Sequence, residues 1–496
     1  MTALASAVRV ETVSRPPRRP GPLTGAVLLV ALLAACWALV SPLGNVPDEP
    51  AHVLYAAAVV RGDVGHGPLG TTVDVPSGVV QSSQATCPAF RAGIPADCIA
   101  DLTGGRQRVA VETSAARYPP LFYALVGWPT WFGFGETTWY VMRLLSVALG
   151  LGLLLAASRA WDPQPAVVAA GVLVAASPMA VYLLGSVNPN GAEITAGIAT
   201  TLGFCGLWDR LRRGAVPLQA ALVGVVVPGG YLALARPGTA LLLVALSGVL
   251  LLAGLPPLRP LWQEHRRVAV AAGGGLGAAL VVGVLTGRAL ARPPDPSVVL
   301  GSSLRGAVAT VLEQADVRLF ETVGFFGWRD HAPPLALRLA WLGMVLVLVL
   351  LALLVGSRRQ QLALGLLALG GVVLAPFALV LTIFTDGTGY QGRYAMALTQ
   401  ALPVLAAWVV ADRTVLTGAT ARRALSLVPV ATVVLGLLML LGSLLRYAVG
   451  LPLPLDPRTV LESVVWLPPA WPLALLLVAA AVAGHVLLAR RLRAPA

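Results

Sequence analysis

Long apolar runs dominate this sequence, and they constrain its fold more than any other feature. A helix needs about 20 apolar residues to cross a bilayer. Twelve runs approach that length, at 22–41, 139–158, 165–184, 190–208, 217–235, 237–254, 268–289, 335–355, 362–384, 395–411, 425–446 and 470–489. A membrane β-barrel would instead show short segments in which polar and apolar residues alternate. We therefore predict an all-α integral membrane protein with about 12 transmembrane helices.

The charge content agrees with this prediction. Only 11% of the residues are charged and 57% are hydrophobic, whereas a soluble domain carries about 25% charged residues. These proportions exclude an ordinary cytosolic enzyme, a secreted disulfide scaffold and a disordered chain. All 35 basic residues are arginines, and they lie in small clusters between the apolar runs. That distribution is typical of membrane topology rather than of a nucleic-acid-binding face. We expect the lipid bilayer as a partner and no nucleic acid.

The placement of the arginines predicts the orientation of the chain. More than half of them fall in short segments on one side of the twelve predicted spans, together with few acids. The positive-inside rule makes that side cytoplasmic. We therefore predict a multi-pass protein of the bacterial plasma membrane with both termini in the cytoplasm. The predicted parts are cytoplasmic tails 1–21 and 490–496, one membrane domain 22–489, and extracytoplasmic loops 42–138, 290–334, 385–394 and 447–469.

One further apolar run, 119–134, lies within the first of these loops. It is short and contains Pro119, Pro120 and Pro129. Counting it as a crossing would place later arginine clusters on the wrong side of the membrane. We predict that it is an interfacial or re-entrant helix on the extracytoplasmic side.

The four cysteines divide into two kinds. Cys36 and Cys205 lie in predicted spans, where a buried cysteine behaves as a small hydrophobic residue. Cys87 and Cys98 both lie in the first extracytoplasmic loop. Outside the cytoplasm these two can form a disulfide that closes a short loop, and we predict that bond in preference to two free thiols.

The strongest candidate for chemistry follows the first span directly, in the segment Pro47-Asp48-Glu49-Pro50-Ala51-His52. Pro47 and Pro50 can end one helix and begin the next. Asp48 and Glu49 then lie at a helix N-terminus, where carboxylates are favoured. One interpretation is simple helix capping by Asp48 with a solvated Glu49. The other is that adjacent acids beside His52 at the membrane face deprotonate a hydroxyl or bind a metal.

Two more candidate clusters lie on the same side of the predicted membrane. Arg117 and Tyr118 open the interfacial run, and they either anchor it at the headgroups or contact a substrate. Asn188 and Asn190 precede a span, where asparagines commonly serve as turn and cap residues. Glu193 lies in the first turn of that span, and an acid inside a membrane is by default a functional hypothesis.

The remaining clusters combine arginine with aromatic residues or glycine. Trp328 and Arg329 follow two phenylalanines, which suits either stacking on a sugar or anchoring at the interface. Arg393 follows a glycine-rich turn at the start of a predicted helix, between Gln391 and Tyr394. Backbone N–H groups and a guanidinium at a helix N-terminus favour a phosphate site over a plain turn.

Arg236 lies at another junction on this side, between Ala235 and Pro237. It is either a second anion ligand or a residue that caps carbonyls and snorkels to the headgroups. The acids of the first loop and the arginines of the other clusters face the side at which a lipid phosphate would lie. That combination is suited to group transfer from a lipid-linked donor.

Five of these motifs occur together in a known order. They are PDEPAH at 47–52, RYPP at 117–120, SVNPNGAE at 186–193, GFFGW at 324–328 and QGRY at 391–394. In this combination, over residues 25–450, the sequence resembles a bacterial family of multi-pass membrane proteins of unknown function. That family is placed within the C-type glycosyltransferase (GT-C) superfamily.

The resemblance implies a glycosyltransferase that acts on the extracytoplasmic face. The donor would be a polyprenyl-phosphate sugar and the acceptor a cell-envelope glycan or lipid. Asp48 would be the general base, with inversion at the anomeric carbon, and Glu49 would assist through the acceptor or a divalent metal ion such as Mg or Mn. Arg393, with Arg117 and Arg329, would neutralise the departing lipid phosphate. No sequence feature decides whether a metal is needed.

Two other functions fit the same residues. A transporter or flippase of isoprenoid-linked sugars would use the arginines to bind phosphate without catalysis, and it would need charged residues along a path between the two faces. Glu193 is the one acid that we place inside a span, and its position near one end does not suggest such a path. A non-catalytic membrane protein of envelope assembly would not need Asp48.

Overall fold

The structure is a computed structural model that describes residues 21–214, 218–254, 258–290, 303–374, 391–413 and 418–494. Helices account for most of these residues. The α-helices are α1 (Pro22–Val40), α2 (Glu49–Val59), α3 (Ser77–Val80), α4 (Leu121–Val126), α5 (Glu136–Ser158), α6 (Ala166–Ala175), α7 (Pro178–Leu184), α8 (Pro189–Arg213), α9 (Gln219–Leu234), α10 (Thr239–Gly254), α11 (Leu258–Ala289), α12 (Leu304–Glu313), α13 (Ala315–Glu321), α14 (Leu335–Val355), α15 (Arg358–Ala368), α16 (Met396–Thr399), α17 (Ala401–Arg413), α18 (Ala419–Val449), α19 (Pro457–Glu462) and α20 (Trp471–Arg493). Two strands, β1 (Thr72–Pro76) and β2 (Arg108–Glu112), form a two-stranded antiparallel sheet in which Thr72 pairs with Glu112.

Seven helical segments within the described residues are long and apolar enough to cross a membrane, which supports the prediction of an all-α membrane protein. They are Pro22–Val40, Glu136–Ser158, His265–Leu290, Leu335–Val355, Gly392–Arg413, Ala419–Val449 and Trp471–Arg493. An eighth span is present if α6 and α7 are counted as one broken helix. The predicted spans 217–235 and 237–254 correspond to α9 and α10, which are shorter apolar helices. The number of twelve spans remains a prediction.

Several predicted boundaries fall on residues that the structure does not describe. Residues 1–20 of the predicted N-terminal tail and 495–496 of the C-terminal tail lie outside the described residues. The same is true of 291–302 in the second predicted loop, 375–384 in the ninth predicted span and 385–390 in the third loop.

The predicted span 165–184 is broken between α6 and α7, whose axes differ by 72°. Ser177 caps α7 through its side chain and Pro178 follows in the first turn. Proline at this position favours a new helix start because it cannot continue the preceding helix. The break also exposes polar groups to a neighbouring segment, since the Ser177 hydroxyl donates to the Thr322 carbonyl at 2.7 Å. The N–H of Met179 donates to the Val323 carbonyl at 2.8 Å.

Helix α8 lies at the centre of the bundle, and its residues 189–208 are all buried. Small residues let the neighbouring backbones approach it closely. A Cβ on Gly203 would lie 1.9 Å from the Gly224 carbonyl oxygen in α9, and a Cβ on Gly197 would lie 2.4 Å from the Ala397 carbonyl oxygen in α16. Any side chain at these two glycines would force the helices apart.

Residues 41–135 lie on one side of the bundle, between the end of α1 and the start of α5, and we call this side the loop face. The apolar run 119–134 forms α4 and a separate 3-10 helix, Trp128–Phe132, rather than one continuous helix. The two pieces meet at Gly127, where a Cβ would lie 2.3 Å from the Ala56 carbonyl oxygen. Trp131 and Phe132 are exposed, as expected for rings that meet headgroups or lipid.

Cys87 and Cys98 are joined by a disulfide on the loop face. Arg446, near the end of α18, donates to the carbonyls of Pro88, Arg91 and Ile94 within the disulfide loop. The disulfide loop is therefore tied to a membrane helix by one buried guanidinium.

We expect the double substitution of Cys87 and Cys98 by serine to destabilise the protein by about 3 kcal/mol, because the open loop gains conformational entropy in the unfolded state. Thermal unfolding of the purified protein in detergent measures the loss as a lower midpoint. Wild-type protein treated with a reductant serves as the comparison and should behave like the variant. An unchanged midpoint in both samples would mean that the contacts of Arg446 alone hold the loop.

Candidate functional site

Asp48 lies in the turn that joins α1 to α2, and its backbone is left-handed with a φ of 63°. This conformation costs about 1–3 kcal/mol for a residue other than glycine. Asp48 occupies the N-cap position of α2, yet its side chain makes no capping hydrogen bond. The simple capping role is therefore not realised, and the carboxylate points elsewhere.

The partner of Asp48 is Arg393, which lies 345 residues further along the chain. Its Nη2 donates to Oδ2 of Asp48. The Arg393 side chain is only 3% exposed, whereas that of Asp48 is 47% exposed. Among the described residues, Nε and Nη1 of Arg393 have no hydrogen-bond partner although both are buried. A buried guanidinium with unused donors is a favourable place for an anion.

A second ion pair, between Glu193 and Arg236, lies beside the first. Nη1 of Arg236 is 2.8 Å from Oε2 of Glu193, which also accepts a hydrogen bond from Nδ2 of Asn190 at 3.1 Å. Nε of Arg236 is buried without a partner in the described part of the chain. Glu193, which the sequence predicts in the first turn of a span, therefore forms an ion pair with Arg236 at the loop face.

Tyrosine rings contact the guanidinium groups of both ion pairs. The guanidinium of Arg236 lies 4.9 Å from the ring centre of Tyr394 and 5.5 Å from that of Tyr118. The guanidinium of Arg393 lies 5.5 Å from the ring centre of Tyr394. Both distances to Tyr394 are within the range of cation–π attraction. The ring of Tyr394 therefore contacts both guanidinium groups, and we call Asp48, Arg393, Glu193, Arg236 and Tyr394 the paired-charge cluster.

His52 lies one turn after Asp48 in α2 and is buried. Its Nδ1 is 2.9 Å from the hydroxyl of Tyr123, and its ring meets that of Tyr118 edge-on at 5.4 Å. Burial lowers the pKa of His52 to about 3, and Asp48 only partly opposes that shift. The imidazole is therefore neutral at physiological pH.

Nearby positive charges lower the pKa of Asp48. Burial of its carboxyl raises the pKa, but the charges of Arg393 and Arg236 and the hydrogen bond from Arg393 outweigh burial. The pKa of Asp48 consequently lies below its usual value, and the carboxylate is ionised at neutral pH.

Glu49 is placed quite differently from its neighbour, because it is completely buried against Arg143 of α5. Nε of Arg143 donates to Oε1 at 2.8 Å and Nη2 donates to Oε2 at 2.6 Å. Oε1 also accepts the N–H of Val187 at 3.0 Å. The remaining donors of Arg143 reach the carbonyls of Ala38, Ser41 and Pro42. The pair fixes the end of α1 and the start of α2, and Glu49 has no exposed atom to offer a substrate.

Asn188 and Asn190 also stabilise the turn that contains Asp48 and Glu49. Nδ2 of Asn188 donates to the Pro47 carbonyl at 2.9 Å, and its Oδ1 accepts the N–H of Asn190 at 3.0 Å as the cap of α8. Their cap and turn roles are therefore present. Through Asn188 they fix the backbone next to Asp48, and through Asn190 they orient Glu193.

Arg329 and Trp328 lie apart from Asp48. Nη2 of Arg329 is 2.6 Å from Oε1 of Glu321, whose Oε2 accepts the N–H of Gly392 at 2.6 Å. The indole N–H of Trp328 donates to the Gly44 carbonyl at 3.0 Å. Arg329 thus supports the turn before Arg393 through Glu321, and among the described contacts it does not reach the paired-charge cluster.

Two predicted residues have fewer contacts. Gln391 begins the turn before Arg393, and its carbonyl accepts the N–H of Tyr394 at 3.0 Å. Arg117 ends a 3-10 helix next to Tyr118, and within the described ranges its buried Nε has no partner.

The residues around Asp48 do not fit a divalent metal ion. The carboxylate of Asp48 is neutralised by Arg393 and that of Glu49 by Arg143. A metal ion would have to displace these guanidinium groups against their own charge. The one group of three potential ligands within the described residues is Asp63, His66 and Asp74, at strand β1.

Two residues that organise the site are not predicted from the sequence. Arg143 lies inside the predicted span 139–158, and a charged residue in a span is itself a signal that a partner must exist. Glu321 lies in a loop with several other acids, so nothing in the sequence distinguishes it. Its role becomes visible only when α13 packs against the turn before Arg393.

Comparison with known proteins agrees with the membrane architecture. No curated protein matches this chain. Residues 31–402 match the family model described as "Predicted membrane protein (DUF2142)". The matched region contains α2, α8 and every member of the paired-charge cluster, and it covers well over half of the chain. The chain therefore belongs to the DUF2142 family of membrane proteins.

Proposed function

We propose that this protein is a membrane glycosyltransferase that takes a sugar from a polyprenyl-phosphate donor and transfers it to a cell-envelope acceptor. Reaction would occur at the loop face, for which the arginine distribution predicts the extracytoplasmic side of the plasma membrane. The observation that carries the proposal is Arg393, a buried guanidinium that binds Asp48 through Nη2 and whose Nε and Nη1 make no hydrogen bond to any of the described residues.

Arg393 would bind the phosphate of the donor. Its Nε and Nη1, which have no partner among the described residues, can donate to phosphate oxygens, and the guanidinium of Arg236 contacts the same Tyr394 ring. Charge-assisted hydrogen bonds from guanidinium N–H groups to phosphate oxygens are strong. As the glycosidic bond to the phosphate breaks, negative charge grows on the leaving oxygen, and buried guanidinium groups stabilise that charge strongly.

Asp48 would be the general base. The half-exposed carboxylate can accept the proton of an acceptor hydroxyl, whose oxygen then attacks the anomeric carbon from the face opposite the phosphate. The new glycosidic bond forms, the bond to phosphate breaks, and polyprenyl phosphate leaves with inversion. Without donor, Arg393 lowers the pKa of Asp48 and makes it a weak base. A phosphate on Arg393 would offset that charge, so donor binding would strengthen the base.

Glu49 would act as a positioning residue rather than as a ligand of substrate or metal. Its carboxylate is saturated by Arg143 and the Val187 N–H. By fixing the first turn of α2, it holds the adjacent Asp48 in its left-handed conformation next to Arg393.

We expect Arg393→Ala to weaken donor binding by about 2–5 kcal/mol, because a desolvated phosphate loses its charged partner. Binding of a polyprenyl-phosphate sugar to purified protein in nanodiscs measures the change. The matched variant is Arg213→Ala, since Arg213 forms an exposed ion pair with Asp209 in its own helix and lies outside the paired-charge cluster. Equal loss of affinity in both variants, or none in Arg393→Ala, would remove Arg393 as the phosphate ligand.

The function itself is tested by product release. Wild-type protein in nanodiscs is incubated with a panel of polyprenyl-phosphate sugars and envelope-lipid acceptors, and free polyprenyl phosphate is followed by mass spectrometry. Acceptor-dependent release supports transfer. Donor binding without release from any member of the panel would instead favour a transporter of the same lipids.

A further inference from the structure

The chain that leads into the disulfide packs against the turn that carries Asp48. This turn joins α1 to α2, and we call it the Asp48 turn. Nδ2 of Asn45 in the turn donates to the carbonyl of Ala85 at 3.0 Å. At Gly44, whose φ is 74°, a Cβ would lie 2.9 Å from Cβ of Ala85. Ala85 lies two residues before Cys87, so one end of the disulfide is next to a close contact with the Asp48 turn.

A second contact with the same turn comes from within the disulfide loop. The ring of Phe90 lies 5.4 Å from that of Trp328. The indole N–H of Trp328 donates to the Gly44 carbonyl at 3.0 Å. Trp328 therefore links the disulfide loop to the Asp48 turn.

Helix α18 provides the third contact. Arg446 is completely buried and donates to three carbonyls of the disulfide loop and to Asp330. The next residue, Tyr447, donates from its hydroxyl to the Asn45 carbonyl at 3.2 Å. A buried donor that loses its acceptor is costly. A loop that moves away from Arg446 therefore also disturbs the end of α18, which holds Asn45.

The disulfide lies where a reductant reaches it, because Cys98 is an exposed residue. A thiolate of a dithiol attacks the bond and forms a mixed disulfide, and one cysteine leaves and takes up a proton. The second thiol of the reductant then releases the other cysteine. Two electrons and two protons pass to Cys87 and Cys98, and the dithiol becomes a disulfide. Residues 87–98 regain the conformational freedom that the closed bond removes.

We propose that the bond between Cys87 and Cys98 is a redox-sensitive control of the Asp48 turn. With the bond closed, the three contacts hold the turn, and Asp48 stays beside Arg393. With the bond reduced, the turn opens more often and the ion pair with Arg393 is less populated. As a control of activity this inference rests on the proposed function, whereas the change in the turn does not depend on it.

Hydrogen exchange of the full-length protein in nanodiscs, followed by mass spectrometry, tests the change in the turn. Exchange is compared before and after reduction with dithiothreitol. We expect reduction to accelerate exchange of residues 41–49 at least about tenfold more than that of α15, because local opening sets the exchange rate. Helix α15 is the reference because it packs against α10 and α17. Equal acceleration in both segments, or acceleration confined to residues 87–98, would overturn the proposal.

Two variants separate the bond from its contacts. The double change Cys87→Ser and Cys98→Ser should exchange like the reduced wild type, and a remaining response to dithiothreitol would refute the role of the bond. Trp328→Phe keeps a ring beside Phe90 but loses the donor to Gly44. It should accelerate exchange of residues 41–49 while the bond is intact, and unchanged exchange would refute the link through Trp328.

Sugar transfer measured in both redox states separates this inference from the proposed function. Lower turnover after reduction supports control of the activity, and unchanged turnover would refute it. Faster exchange of residues 41–49 without turnover in either state would count against the transferase and leave the control of the turn standing.

Discussion

Asp48→Asn should lower the rate of sugar transfer by about 10²–10⁴-fold, the usual contribution of a positioned general base. Asparagine has the same shape and can still accept a hydrogen bond from Arg393 through its side-chain oxygen, so donor binding should largely persist. It cannot take the proton of the acceptor hydroxyl. Release of polyprenyl phosphate in nanodiscs, measured beside the wild type, gives the effect directly.

The control for this substitution is Asp456→Asn, because Asp456 caps α19 on the protein surface and lies outside the cluster. That variant should transfer sugar at the wild-type rate. Turnover retained in Asp48→Asn would exclude Asp48 as the base. Loss of both turnover and donor binding would point to a collapsed turn, which circular dichroism and the melting temperature would reveal.

Arg143→Met should destabilise the protein by about 3–5 kcal/mol, the largest effect on stability that we expect. The substitution leaves the Glu49 carboxylate buried without a counter-charge, and an uncompensated buried charge is costly. It also removes the donors that bind the carbonyls of Ala38, Ser41 and Pro42. Thermal unfolding in detergent, together with the yield of folded protein, measures the loss.

The double variant Glu49→Gln with Arg143→Met separates the two causes. If the buried charge dominates, the double variant is more stable than Arg143→Met alone, because neither charge remains. If it is no more stable, the lost carbonyl contacts account for the effect. A single variant that unfolds at the wild-type midpoint would contradict the role of this pair in fixing the turn.

Sequence alone predicted the helical class and most of the residues that meet at the site. Long apolar runs and proline breaks are local signals, and they place α1, α2 and α5 within a few residues. The contacts within the site are less predictable, because they depend on how distant helices pack. Asp48 and Arg393 are far apart in sequence, and no local pattern predicts that they form an ion pair.

Adjacent residues can also have opposite environments that a sequence does not reveal. Asp48 and Glu49 are similar acids, so the sequence predicted similar chemistry for both. The first helical turn directs them to different sides: Asp48 is half exposed beside Arg393, and Glu49 is sealed against Arg143. The predicted run 119–134 forms two short helices that meet at Gly127, which packs closely against the Ala56 carbonyl, and Pro129 lies in the first turn of the second piece.

The burial of α8 has a consequence for how the protein is made. Within the described residues α8 is a long helix, yet it is not among those apolar enough to cross a bilayer alone. Its threonines and Glu193 are tolerated because they never face lipid. A segment of this kind partitions poorly into lipid when it leaves the ribosome and translocon. Stable insertion of α8 therefore requires that it packs against α5, or against α9 once α9 has been synthesised. Biogenesis of this protein consequently depends on the order in which the neighbouring helices are synthesised.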